Sequence, residues 1–205
     1  MSSWRAIRIV SIALVLATIG LQQGPVAAAD AAKVLESLEA AKPDWLPDLA
    51  KCPADVMPAR ETRSDYFKQR CAASLERCVD SCRAGNAGDC YAAALVLQEV
   101  RNNPVSEALF LRACSLGIVS GCTNRAAGMD KDNGGGNPCA VQTFEKGCER
   151  NDPWACTMIG FYLLRGIGVA KDHGRARQAL SKSCRFGDTD QACGYAKSLM
   201  REIKD

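Results

Sequence analysis

The sequence predicts an all-α fold, an array of antiparallel helix pairs stapled by disulfides, and three observations predict it. Cys82 and Cys90, Cys114 and Cys122, and Cys148 and Cys156 are pairs with the same seven-residue gap, and Cys184 and Cys193 form a fourth with one residue more. Their first members stand about one helix-turn-helix unit apart, a period that signals a repeat array. Apolar residues recur at fixed offsets from them: Phe110, Phe144 and Leu180 stand four residues before the helix-ending cysteine, and Leu109, Thr143 and Ala179 five before it. Finally, caps and breakers fall between these segments, as in Asp152-Pro153, Gly166-Ile167-Gly168 and Asp172.

The elements follow in chain order. Residues 1–29 read as a secretory signal: Arg5 and Arg8 without an acid, an apolar run from Ile9 to Leu21, and small residues before Asp30. The run is shorter than the roughly 20 residues of a membrane span. Residues 30–63 read as an N-terminal helix, about Ala31 to Lys42, and a Pro-rich connector, Pro43 to Pro58. Residues 64–205 form the array. In its clearest copy, Asp152 is an N-cap with Pro153 at the first helical position. The helix Trp154 to Arg165 follows, and Gly166 breaks it by accepting the left-handed conformation. Asp172 caps a second helix that runs to about Arg185. Four residues after the helix-starting cysteine stand the small Ala94, Ala126 and Gly160, which let helices approach; the last copy has Lys197 there, suited to a terminal helix, Gln191 to Lys204, with a face in water.

The string Ala155-Cys156, Ile159-Gly160, Tyr162, Gly166-Ile167-Gly168-Val169, Asp172, Ala176 and Ser183-Cys184 resembles the Sel-one-like repeat, a relative of the tetratricopeptide repeat. The regular cysteine pairs resemble its cysteine-rich secreted branch, typified by the Helicobacter cysteine-rich proteins. The resemblance covers about Ser64 to the C-terminus. It implies a right-handed superhelical solenoid whose first helices line a concave protein-binding face. It also implies a rival activity, penicillin-binding or β-lactamase-like hydrolysis, for which no nucleophile carries over residue by residue. The turns depart from the pattern at Arg101-Asn102-Asn103-Pro104 and at Lys131 to Pro138.

A thiol in the last turn of one helix and another in the first turn of the next face each other across a short loop, within disulfide reach. Bridges are therefore expected at Cys82–Cys90, Cys114–Cys122, Cys148–Cys156 and Cys184–Cys193. Cys52, Cys71, Cys78 and Cys139 remain. Cys78 occupies the core offset of Phe110 and Phe144. Cys52 is expected to fold back onto Cys71 or Cys78, since a solenoid would hold Cys139 out of their reach and leave it free, paired by a local rearrangement, or intermolecular; pairing of all four within the chain is the alternative.

Charge and motif narrow the function. The 26 basic residues fall to 24 once Arg5 and Arg8 leave with the signal, against 23 acidic ones, so the electrostatic footprint of a nucleic-acid binder is missing. Twelve cysteines in an exported chain read as disulfides. With no C-x-x-C and the single His173, no metal and no cofactor are expected. A catalytic triad would have to run through His173, Ser181-Lys182-Ser183 lacks S-x-x-K spacing, and Asp188 and Asp190 read as caps. What remains is a monomeric interaction module, secreted or periplasmic, that binds a protein or peptide. The candidate binding residues lie five and nine positions after the helix-starting cysteines: Leu95, Ala127, Phe161 and Ser198, then Glu99, Lys131, Arg165 and Glu202. Phe161 with Arg165 is the foremost recognition spot, with Leu95 and Glu99 its counterparts one end over.

Overall fold

The structure is a computed structural model that describes residues 25–62, 68–101, 103–132 and 135–203. Most of the expected signal, residues 1–24, lies outside the described residues, as does Lys204. Among the described residues the chain is all-helical and has no strand. Its helices are α1 (Pro25–Ala41), α2 (Pro53–Val56), α3 (Lys68–Ala73), α4 (Leu75–Arg83), α5 (Ala87–Val100), α6 (Pro104–Ser115), α7 (Val119–Asp132), α8 (Pro138–Glu149), α9 (Pro153–Arg165), α10 (His173–Lys182) and α11 (Gln191–Met200). None is long and apolar enough to cross a membrane.

Local chemistry sets these boundaries. Side chains of Asn86, Asn103, Asp152 and Asp172 accept from the backbone N–H three residues on, each satisfying a donor that a helix start leaves unpaired and each contributing about 1 kcal/mol. Asn137 and Asp190 do the same two residues on. Pro104, Pro138 and Pro153 stand at first-turn positions, where a missing N–H costs nothing. Gly166 ends α9 in the left-handed region (φ 74°), its N–H donating to Tyr162 O at 2.7 Å. Three ends differ from expectation. The N-terminal helix begins before Ala31, so Asp30 sits inside it; α10 stops at Lys182 because residues 183–186 form turns; and α11 stops at Met200, short of the expected Lys204, with residues 201–202 in a turn.

From α3 onward consecutive helices pack on one another, and the contacts run antiparallel: Gly160 meets Leu180 and Ala176, Thr157 bonds Ser183, and Gly121 lies under Phe110 and Ala113. Ala94 and Ala126 are fully buried. Tyr91 packs on Phe110 (5.7 Å between centroids) and Phe144 meets Tyr162 edge-on at 5.6 Å. Buried apolar residues gather in one cluster from α1 and α3–α6 and another from α7–α11. α7 also packs on α9, and α9 on α11. The N-terminal elements lie across the others: α1 packs on α3, α4, α5 and α6, and α2 on α6, α7 and α8.

Candidate functional site

All twelve cysteines are paired. Cys82–Cys90, Cys114–Cys122, Cys148–Cys156 and Cys184–Cys193 are joined with Cα atoms 4.4–4.6 Å apart; the first three link the end of one helix to the start of the next, and the fourth links the turn after α10 to the start of α11. Cys78 is buried and bonded to Cys71. The expected fold-back of Cys52 onto Cys71 or Cys78 is corrected: Cys52 is bonded to Cys139, 87 residues away. The reason is the path of the connector, which does not stay at the N-terminal end. It runs over the helices as a strap and carries Cys52 to the start of α8.

Side chains grip this strap mainly by its backbone. Arg112 donates from one guanidinium nitrogen to Trp45 O (2.8 Å), from Nε to Cys82 O (3.1 Å) and from the other to Arg83 O (3.0 Å), with its plane over the Trp45 ring. Arg125, buried on α7, donates to Leu49 O at 2.9 Å and pairs with Glu107. On α8, Thr143 accepts from Ala54 N (3.2 Å) and Lys146 donates to Ala54 O (3.0 Å). Pro53 O lies 3.4 Å from Cys114 Sγ, and Arg150 donates to Pro58 O. Thr62 then bonds the corner after α6, through Leu116 O and Gly117 O. The strap thus covers two successive grooves: α1 with Trp45 and Leu46 fills the one formed by α4, α5 and α6, and α2 fills the one formed by α6, α7 and α8. Sequence reasoning missed these gripping residues. One signal for them exists: Arg112 and Lys146 both stand two residues before a helix-ending cysteine.

The expected recognition residues lie elsewhere. Arg125, which faces the strap, is three residues after Cys122; at 3.6 residues per turn, positions five and nine after the cysteine lie about 160° and 120° around the helix from it, and Lys131, at position nine, still lines a pocket with Leu49 and Arg125. On α9 the structure brings Phe161 and Arg165 together, the guanidinium 5.8 Å over a half-buried ring, and Arg165 also pairs with Glu202 of the next helix pair. Leu95 and Glu99 belong to a separate spot on α5, where Leu95 packs against the first core cluster and Glu99 is exposed. Ala127 is half-buried; Lys131 and Ser198 are exposed. Near the C-terminal end, the exposed Trp154 and Tyr195 rings stack at 5.5 Å and Arg185 lies over exposed Phe186.

Several titratable groups have structural partners. Asp130 accepts from Tyr162 Oη and from Asn137 N, tying α7, α9 and the 135–137 turn together. Burial, then the Asp130 hydrogen bond, pushes the Tyr162 phenol far above its ordinary value. His173 is exposed at the first position of α10, Asp190 caps α11, and Asp188 pairs with Lys197 at 2.7 Å. Gly166 to Gly168 form the α9–α10 turn, as expected. Cys71, Cys78 and Asp89 cluster within 4.8 Å, but a disulfide offers no thiolate to a metal. Comparison of the chain with protein-family models, with curated proteins and with solved structures gives no match.

Proposed function

We propose that this chain is an exported polypeptide-binding scaffold: a right-handed superhelix of Sel-one-like helix pairs, with α5, α7, α9 and α11 lining a concave face. Six disulfides and the absence, among the described helices, of one able to cross a membrane fit an oxidising compartment outside the cytoplasm. The observation that carries the reading is the strap. Its grip on α7 comes through Arg125, nearly opposite position five on a helix, and the strap makes none of the contacts of Phe161 and Arg165, which leaves that spot open to a ligand. The strap is also held as a bound peptide would be, through main-chain carbonyls and the N–H groups of Ala54 and Thr62.

On the open side, Phe161 and Arg165 offer a ring and a guanidinium one turn apart, the residue types enriched where binding energy concentrates. The Arg165–Glu202 pair is solvent-exposed on both sides, so it contributes little and can be exchanged for a ligand carboxylate. Panning a displayed peptide library on the mature protein tests the reading. Selected peptides should bind Arg165→Glu at least tenfold more weakly at an unchanged unfolding temperature. Peptides that bind the variant as tightly as the wild type would refute this site. Turnover of a chromogenic β-lactam, abolished by a point substitution, would overturn the interaction-only reading altogether.

A further inference from the structure

The strap covers two grooves, and the array contains a third of the same construction that it never enters. This groove, formed by α8, α9 and α10, holds about 230 Å³; Cys148, Ile159 and Ala179 line it, with Arg175 and Lys182 on α10 and the carboxylates Glu145 and Glu149 on α8. Its register matches that of the α2 groove residue for residue. Cys148 stands where Cys114 touches Pro53 O. Lys182, two residues before Cys184, stands where Lys146 donates to Ala54 O, and where Arg112, one groove earlier, donates to Trp45 O. Two of the three equivalent cations hold a strap carbonyl; the Lys182 side chain is exposed, and its ammonium makes no hydrogen bond or ion pair with any described residue.

Three register positions differ, and each difference says something about an occupant. Arg175 replaces Cys139, so the covalent anchor to Cys52 becomes a guanidinium that suits a carboxylate. Arg175 now pairs with Glu145 at 3.0 Å, the arginine side chain 57% and the glutamate 38% exposed, a pair near the surface that contributes little and yields readily to a competing carboxylate. Ala179 replaces Thr143, so no side chain accepts the N–H that Ala54 presents, and proline, which has none, fits that position. Ile159 replaces Arg125 on the groove floor, so an apolar side chain replaces the Leu49 carbonyl. The volume is below the roughly 300–1,000 Å³ of small-molecule clefts, in keeping with a single turn of peptide.

We infer that the α8–α9–α10 groove is a docking site for a proline-containing turn of another polypeptide, with an acidic residue at the position of Cys52 and proline at that of Ala54. The backbone carbonyl of that proline accepts from Lys182, and the acid pairs with Arg175. This site lies on the strap-bearing side and is independent of the Phe161 face.

The probe is a fluorescent synthetic peptide of residues 47–59 carrying Cys52→Glu and Ala54→Pro, titrated by anisotropy against the full mature protein. It should bind the wild type, and bind Arg175→Glu and Lys182→Glu at least tenfold more weakly; both side chains are exposed, and unchanged melting confirms folding of the variants. A peptide carrying Cys52→Lys should recover binding on Arg175→Glu. In a register test, the unaltered strap peptide in a glutathione buffer should form a mixed disulfide with Arg175→Cys, as Cys52 does with Cys139. Equal binding to wild type and Arg175→Glu, or trapping at Ser198→Cys in place of Arg175→Cys, overturns the inference while the Phe161 reading stands. No binding to the wild type also overturns it, and leaves the Phe161 reading to its own library test.

Discussion

Removing the Cys52–Cys139 bridge by Cys52→Ala/Cys139→Ala separates the strap's role from that of the staples. A bridge stabilises chiefly by restricting the unfolded chain, in proportion to the logarithm of the loop it closes. The strap bridge has a sequence separation of 87 and the staples one of 8 or 9. On the chain-entropy estimate these correspond to about 4.6 kcal/mol and about 2.6 kcal/mol. Cys71–Cys78, Cys82–Cys90 and Cys114–Cys122 lie inside the long loop and shorten its path to roughly 70 residues, which lowers the larger figure only to about 4.4 kcal/mol. At about 2–4 °C per kcal/mol for a chain of this size, the double variant should melt about 10–15 °C lower. Cys184→Ala/Cys193→Ala should cost about half of that. Thermal unfolding followed by far-UV circular dichroism measures both, and hydrogen exchange at the Ala54 amide reports whether the strap lifts off before the helices unfold. If the strap variant loses no more than the staple variant and Ala54 keeps its protection, the strap is held by its non-covalent contacts and the loop argument fails.

Tyr162→Phe removes a buried donor from Asp130, and should cost about 1–3 kcal/mol in chemical denaturation. Because the folded-state phenol is raised above its unfolded value of 10.0, the associated stability is fully present below about pH 10 and is lost as pH rises beyond it. Wild-type stability should therefore fall more steeply there than that of Tyr162→Phe, and parallel curves would contradict the assignment. Gly121→Ala would put a Cβ 2.8 Å from Phe110 O and 3.0 Å from Ala113 Cβ. The stapled α6–α7 corner cannot open easily, so about 1–3 kcal/mol of overpacking outweighs the gain of up to about 1 kcal/mol in helix propensity. Gly194→Ala meets nothing within 4 Å and should stabilise by about 0.5–1 kcal/mol; the same sign for both would show that packing at Gly121 is not limiting.

The all-helical class was legible because local signals specify it. Caps at Asn86, Asn103, Asp152, Asp172 and Asp190 and the glycine break at Gly166 act within one turn of their own positions. The four staples were legible for a related reason: a loop of a few residues between two helices leaves its ends few places to be. Phe161 and Arg165 were placed together by spacing along one helix, and spacing alone suffices for that.

The strap was not legible in this way. Its bond from Cys52 to Cys139 spans most of three helix pairs, and the Pro-rich segment has no period that says which face it crosses. Thr143 read as a core position, and it is buried, yet its hydroxyl is there to meet Ala54 N. Arg112 and Lys146 find their carbonyl partners 67 and 92 residues away along the chain. Sequence by itself determined what neighbours in the chain can do to each other: helices, turns and corner disulfides. Only the tertiary structure decided which grooves the chain fills with its own N-terminal segment and which it leaves open. The physical reason is range, since caps and staples act across a few residues, whereas the strap's place depends on how separate helices stack and on the grooves that stacking creates.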